Sequence, residues 1–337
     1  MHASEVLQRC FGSALMPMHA RRRSVLMQAV DALVDGRRLT LTDLARSWPG
    51  AERIAAPLKK LDRLLSNRHL AAETADLYAA VMHWCIRQPR PVIVVDWSEL
   101  DSKGRFHLLR AALAVGGRTL TLWERVVPAN KTNSPKHERD LLYALREAIP
   151  SHVKPILVTD AGFRAPWFQA VSAMGWDYVG RLRHRMLVKP IEVADEREQW
   201  VPGRMLYALL AGAPRDLGMF DVVRNRPVQC RLIVHRKPRQ GRLHLTRDGR
   251  RVQGKLSRKN AEREAEPWLL ATSIGHLELT AAQIVGLYSR RMQIEQGFRD
   301  LKSHRYGVGF EDSLTRGKER LAILLVLHAL ACFATWM

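Results

Sequence analysis

The sequence predicts an α/β protein with a helical region in front and a basic, mainly β segment set into its core. Three observations predict it. Residues 1–87 carry apolar residues at helical spacing. From residue 91, apolar runs of strand length alternate with helical stretches, the order of a layered α/β core. Between residues 184 and 263 that order stops, and short β-like pieces alternate with turns.

At the N-terminus, Arg21, Arg22 and Arg23 precede an amphipathic run from Val25 to Val34, which Asp35-Gly36 breaks. Thr42 is the expected N-cap of a short helix that stops before Pro49-Gly50. A third helix, 51–66, puts Ile54, Leu58, Leu61, Leu64 and Leu65 on one face and Arg53, Lys59, Lys60 and Arg63 on another. These helices are compatible with helix-turn-helix DNA binding, and equally with a small helical domain whose basic face is solvated.

Residues 91–95, Pro-Val-Ile-Val-Val, read as a buried strand that Asp96 ends. Residues 106–115 and 119–127 read as two more strands, separated by the Gly116-Gly117 turn. A helix follows over 137–149, then the strand Ile156-Leu-Val-Thr159, closed by Asp160. Ala161-Gly162 leads to a helix over 166–174, and 178–182 is a further strand. Strands one and four can pair in this order, which would make Asp96 and Asp160 neighbours.

Residues 187–193, 220–223 and 228–235 are β-like. From Arg224 to Asn260 there are 13 Lys and Arg and one acid, Asp248, a density that faces either solvent or phosphate. Pro267-Trp268-Leu-Leu-Ala-Thr-Ser resumes the strand pattern, and Thr280 caps the next helix. The apolar stretch 321–337 is 17 residues long and holds His328, which suits a buried helix better than a membrane span. It meets Met337 without a cap or polar tail, so a longer C-terminal region is expected.

The chain has 54 Lys and Arg against 33 Asp and Glu, a formal charge of +21, and a polyanion such as nucleic acid is the expected partner. The cysteines (Cys10, Cys85, Cys230, Cys332) form no CxxC pair, which argues against a zinc ribbon and a disulfide scaffold and fits a reducing compartment.

The stretch Tyr288 to Lys302 has no Pro and reads as one helix. At roughly 100° per residue, Tyr288, Arg291, Glu295 and Lys302 share an arc of about 60°. Leu287, Ile294, Phe298 and Leu301 make an apolar stripe beside it. One carboxylate among cations suits a phosphate substrate and a metal; a solvated face with an Arg291–Glu295 ion pair uses the same residues. Asp96, Asp160 and Glu295 are the candidate ligands. Oxygen ligands without a His or Cys set favour Mg²⁺ or Mn²⁺ over zinc. The residues alone leave alternatives: Glu99 or Asp101 in place of Asp96, Asp160 as a turn former, Trp268 as a core tryptophan.

The spacing Y-x(2)-R-x(3)-E-x(6)-K resembles the signature of the IS-four, or YREK, family of DDE transposases. So do the strings LDRLLSNRHL, VDWSEL, VTDAGFRAPW, EPWLLATS and YSRRMQIEQGFRDLKS, and the branch they resemble most contains the transposase of the tetracycline-resistance transposon ten. The resemblance implies an RNase H-like core, a mixed sheet with flanking helices, over 88–183 and 264–312. It implies a mainly β insertion domain over 184–263, a helical domain over 1–87 that binds the element's end, and a C-terminal helical region from 313 that this chain only begins.

The same resemblance implies that Asp96, Asp160 and Glu295 are the catalytic, metal-binding triad for two Mg²⁺ ions, which Mn²⁺ can replace. Tyr288, Arg291 and Lys302 correspond to contacts with phosphates near the cleaved end, and Trp268 to a tryptophan that holds a flipped base. The implied activity is cut-and-paste transposition through a DNA hairpin, in the bacterial cytoplasm, on double-stranded element ends and target DNA, by a homodimer in the synaptic complex, without a membrane. The rival readings are a truncated protein that binds ends without transposing and an RNase H-like nuclease.

Overall fold

The protein is described here by a computed structural model that places residues 2–100, 104–191, 200–236 and 266–337. It divides into two compact units, one formed by residues up to 158 together with 290–337, the other by 159–289.

The first unit opens with five helices: α1 (Ala3–Leu15), α2 (Ala20–Gly36), α3 (Leu41–Arg46), α4 (Ala55–Leu65) and α5 (Arg68–Cys85). The α3 cap is Thr40 and not Thr42: Thr40 Oγ1 accepts the Asp43 N–H at 3.1 Å. The Thr-x-x-Asp pattern that makes a capping signature begins at Thr40, which explains the two-residue shift.

The unit's sheet has the order β3-β2-β1-β4, from β1 (Val92–Glu99), β2 (Phe106–Val115), β3 (Arg118–Pro128) and β4 (Ile156–Thr159). Helix α6 (Pro135–Ala148) lies between β3 and β4 in the chain. Val115 pairs with Arg118, leaving Gly116 and Gly117 as a two-residue hairpin loop. Both take positive φ, 51° and 96°, as the tight hairpin turn demands. Asp96 does not end its strand. β1 continues to Glu99 because β2 is long enough to pair with it throughout, Glu99 lying opposite His107.

The second unit holds α7 (Ala165–Ala173), β5 (Asp177–Arg181), β6 (Leu187–Pro190), β7 (Val201–Pro202), β8 (Arg215–Val222), β9 (Val228–His235), β10 (Trp268–Thr272) and α8 (Ala281–Ser289). Its strands run in the order β5-β10-β9-β8-β6-β7. Phe168 of α7 stacks on Tyr178 of β5 with ring centroids 4.7 Å apart. The part of the basic run from residue 237 to 260 lies outside the described residues, as does Asp101.

The chain returns to the first unit with α9 (Met292–Lys302) and α10 (Lys318–Trp336). By length and composition α10 could cross a membrane. Here its apolar residues, Leu324 to Leu327 among them, are buried, and it packs on α1, α2, α4, α5 and β3. Phe333 meets Phe11 of α1 with ring centroids 4.7 Å apart.

Tyr288 to Lys302 is therefore not one helix. α8 ends at Ser289 and α9 starts at Met292. Ser289 Oγ bonds back to the Val285 carbonyl at 2.8 Å, a contact that bends helices. The first bonds after the break are tight, i to i−3: Gln293 N–H to the Arg290 carbonyl and Ile294 N–H to that of Arg291.

Candidate active site

The sheet of the first unit carries a row of charges. Asp96 on β1 is directly opposite Arg110 on β2, which is directly opposite Glu124 on β3. Paired residues share a face, and all three are buried. Arg110 Nε donates to Glu124 Oε2 at 2.7 Å, and the Tyr78 hydroxyl of α5 donates to Oε1 at 3.0 Å. Burial, then the Glu124 charge, pushes the Tyr78 phenol well up.

Helix α9 covers this face, with Ile294, Phe298 and Leu301 buried and the polar edge turned along β1. The Arg291 guanidinium reaches Asp96 through Nη1, 3.2 Å from Oδ2, and Glu295 through Nη2. Two carboxylates from different elements thus converge on one cation. Lys302 donates to Ser98 Oγ at 2.8 Å and to the Glu99 carbonyl. Ser98 shares the Asp96 face by the two-residue period of a strand, whereas Glu99 points to the other side and is exposed. Burial lowers the Lys302 pKa, opposed by Glu311 and Glu99. The Phe298 ring lies 5.0 Å from the Arg110 guanidinium and 6.0 Å from Lys302 Nζ.

The second unit holds the other candidates. Asp160 is half-buried, and its Oδ1 accepts the Gly162 N–H at 2.7 Å. Arg183 Nε donates to the neighbouring Ala161 carbonyl at 2.7 Å. Tyr288 is 3 % exposed, and its ring meets the half-buried Trp268 edge-on, centroids 4.7 Å apart at 73°. Trp268 also faces His235, its β9 register partner, at 5.9 Å. Two residues before Trp268, Glu266 pairs with Arg181 at 3.0 Å and His184 at 2.9 Å.

Asp96, Arg291, Glu295 and Lys302 therefore come together in the first unit, and Asp160, Tyr288 and Trp268 belong to the second. Among the described residues, no group of three or more His, Cys, Asp or Glu side chains is placed to hold a metal ion. Asp96 and Glu295 converge on Arg291, and their oxygens are the hard donor type that divalent ions take. Sequence reasoning missed Arg110 and Glu124. Arg110 is a lone charge inside the apolar run Leu-Leu-Arg-Ala-Ala, and Glu124 stands beside Arg125 in Leu-Trp-Glu-Arg-Val; those were the available signals.

The family described as "Transposase DDE domain" matches residues 87–332, well over half of the chain. A search among curated proteins finds no match. Among solved structures, the chain is similar to one described as a piggyBac transposase synaptic complex with hairpin DNA. The identity is 12 %, covering 99 % of this chain and 76 % of that one, with a TM-score of 0.40. By the match over 87–332, which spans β1 with Asp96, β4 and α9 with Glu295, this chain belongs to the transposase DDE domain family.

Proposed function

We propose that the protein is a cut-and-paste DNA transposase of the YREK group. The observation that carries the reading is the convergence of Asp96 and Glu295 on the Arg291 guanidinium. Asp96, Glu295 and, from its place after the second apolar strand, Asp160 are the proposed ligands of two Mg²⁺ ions. When bound, such ions supply an activated water or 3′-hydroxyl and stabilise the leaving oxygen in an in-line displacement.

The chain's own residues do the rest. Arg291 and Lys302 hold phosphate oxygens: both are long cations at the Asp96–Ser98 edge of β1. Arg110 keeps a positive charge buried opposite Asp96 and fixes Phe298, one turn after Glu295, by its cation–π contact. Tyr288 joins the phosphate contacts in the proposed assignment, and its packing on Trp268 ties the two residues to one end of the element DNA. Trp268 is proposed to take the base that leaves the stack when the two strands are joined in a hairpin. A flipped base loses a few kcal/mol of stacking, of which an aromatic ring restores roughly 1–3 kcal/mol. The partners are double-stranded element ends, target DNA and a second copy of the chain in the synaptic complex, in the cytoplasm of a bacterium.

The test is incubation of the purified protein with a labelled duplex carrying the inverted repeat read from DNA flanking its gene. Nicking at the repeat boundary only with Mg²⁺ or Mn²⁺ supports the reading. Tight binding without nicking in either metal would favour an end-binding protein that does not transpose.

A further inference from the structure

We propose that Tyr306, backed by Arg305, is a nucleobase-stacking site for DNA lying beside the C-terminal end of α9; this rests on the transposase reading. Tyr306 is 75 % exposed, one of the most exposed large side chains among the described residues. It sits in the turn that follows Lys302, four residues past the proposed phosphate contact.

The turn is held rigidly. The N–H groups of Gly307 and Gly309 donate to the Ser303 carbonyl at 3.1 and 3.2 Å, and that of Val308 to the Asp300 carbonyl at 2.9 Å. The Tyr306 N–H donates to Ser303 Oγ at 3.0 Å. His304 pairs with Asp312 at 2.6 Å, Arg38 of the N-terminal helical region donates to the His304 carbonyl, and the Leu39 N–H donates to the Val308 carbonyl at 2.9 Å. The backbone passes so close to the Asp300 carbonyl that a Cβ at Gly307 would collide with it, so only glycine fits. A turn fixed by this many bonds holds its aromatic side chain out into solvent, away from any core.

The Arg305 guanidinium lies 5.1 Å from the Tyr306 ring centroid, a cation–π pair on one face of the ring. The surrounding charge fits a polyanion. Arg299 and Lys302 occupy the last turn of α9; of the nearby acids, Asp300 is engaged by Arg118 and Gln296, Asp312 by His304, and Glu311 lies near Lys302. A rigid exposed ring with a stacked guanidinium and adjacent cations is the arrangement that holds an unpaired or end base. The return of Gly307 and Val308 to the last turns of α9 keeps Tyr306 beside that end of the helix.

The test uses the full chain and a duplex end substituted with 5-iododeoxyuridine at one position at a time, in Ca²⁺ to hold the complex uncleaved. Irradiation and peptide mass mapping read which side chain stacks on which base. The expected result is a crosslink to Tyr306 from one position or two adjacent ones, retained in Tyr306→Trp and lost in Tyr306→Ala, with affinity about tenfold weaker in the alanine variant. Melting temperatures equal to wild type in both variants keep the loss assignable to the ring. DNA that binds and crosslinks elsewhere, with Tyr306→Ala at wild-type affinity, overturns this site and leaves the transposase reading standing. Failure to bind any duplex overturns both.

Discussion

Arg110 on β2 lies directly across the sheet from Asp96 on β1, buried, with the Phe298 ring of α9 packed on its guanidinium. The candidate carboxylate and the helix that carries Glu295 are therefore both referenced to one buried cation, whose charge Glu124 offsets on the far side.

Removing one member of that pair leaves the other charged, buried and unmatched. Glu124→Leu is expected to lower unfolding stability by about 3–5 kcal/mol, and Arg110→Met with Glu124→Leu to recover most of it. Denaturant titration of the two single variants and the double variant checks this. A loss under about 1 kcal/mol in Glu124→Leu would place the pair in solvent-like surroundings.

Phe298 and Arg291 are expected to separate. Phe298→Ala empties a buried site under α9 and is expected to cost about 3–5 kcal/mol. Arg291→Ala removes a half-buried cation at the edge and is expected to slow strand cleavage far more than it lowers the melting temperature. Melting curves beside cleavage rates decide it; equal melting losses in the two variants would make the arginine structural.

Trp268→Ala is expected to nick DNA at the normal rate and to form hairpins slowly, with partial rescue by an abasic site near the cleaved end. Trp268 is half-buried, with its ring edge-on to Tyr288. Time courses that resolve nicked from hairpin product measure it, and equal losses in both steps without rescue return Trp268 to the core.

His328 on α10 is fully buried, and burial, then the Arg110 charge, pushes its pKa down to about 3. The unfolded value is near 6.5, so the unfolded chain binds the proton more readily. Its contribution to stability is complete above about pH 6.5 and is lost as pH falls from there toward 3. Melting temperature is expected to fall over that window, and less steeply in His328→Leu. Parallel pH profiles for the two proteins would assign the acid sensitivity elsewhere.

Strands were the legible part of the fold. β2 has the expected boundaries because Gly116-Gly117 and its apolar pattern are local signals. The break between α8 and α9 was not legible: Ser289, Arg290 and Arg291 all tolerate helix, and the break falls where Ser289 Oγ bonds back to the Val285 carbonyl. Tyr288 lies on α8, whereas Glu295 and Lys302 lie on α9, with Arg291 at its N-cap. The extent of β1 past Asp96 depended on the length of its partner strand. Asp96 and Glu295 stand out in the sequence as candidates, but their convergence on Arg291 is a long-range fact, with Arg291 distant from Asp96 in sequence.

In the proposed reading, Asp96, Asp160 and Glu295 are the metal-dependent machinery. The direct measurement is nicking of a labelled element end in Mg²⁺ by Asp96→Asn, Asp160→Asn and Glu295→Gln, with DNA binding followed in parallel. Each variant is expected to bind the end at near wild-type affinity, since affinity comes from the basic surfaces, and to lose all nicking. Near wild-type nicking by any one of them would contradict that residue's assignment, and by all three would contradict the account.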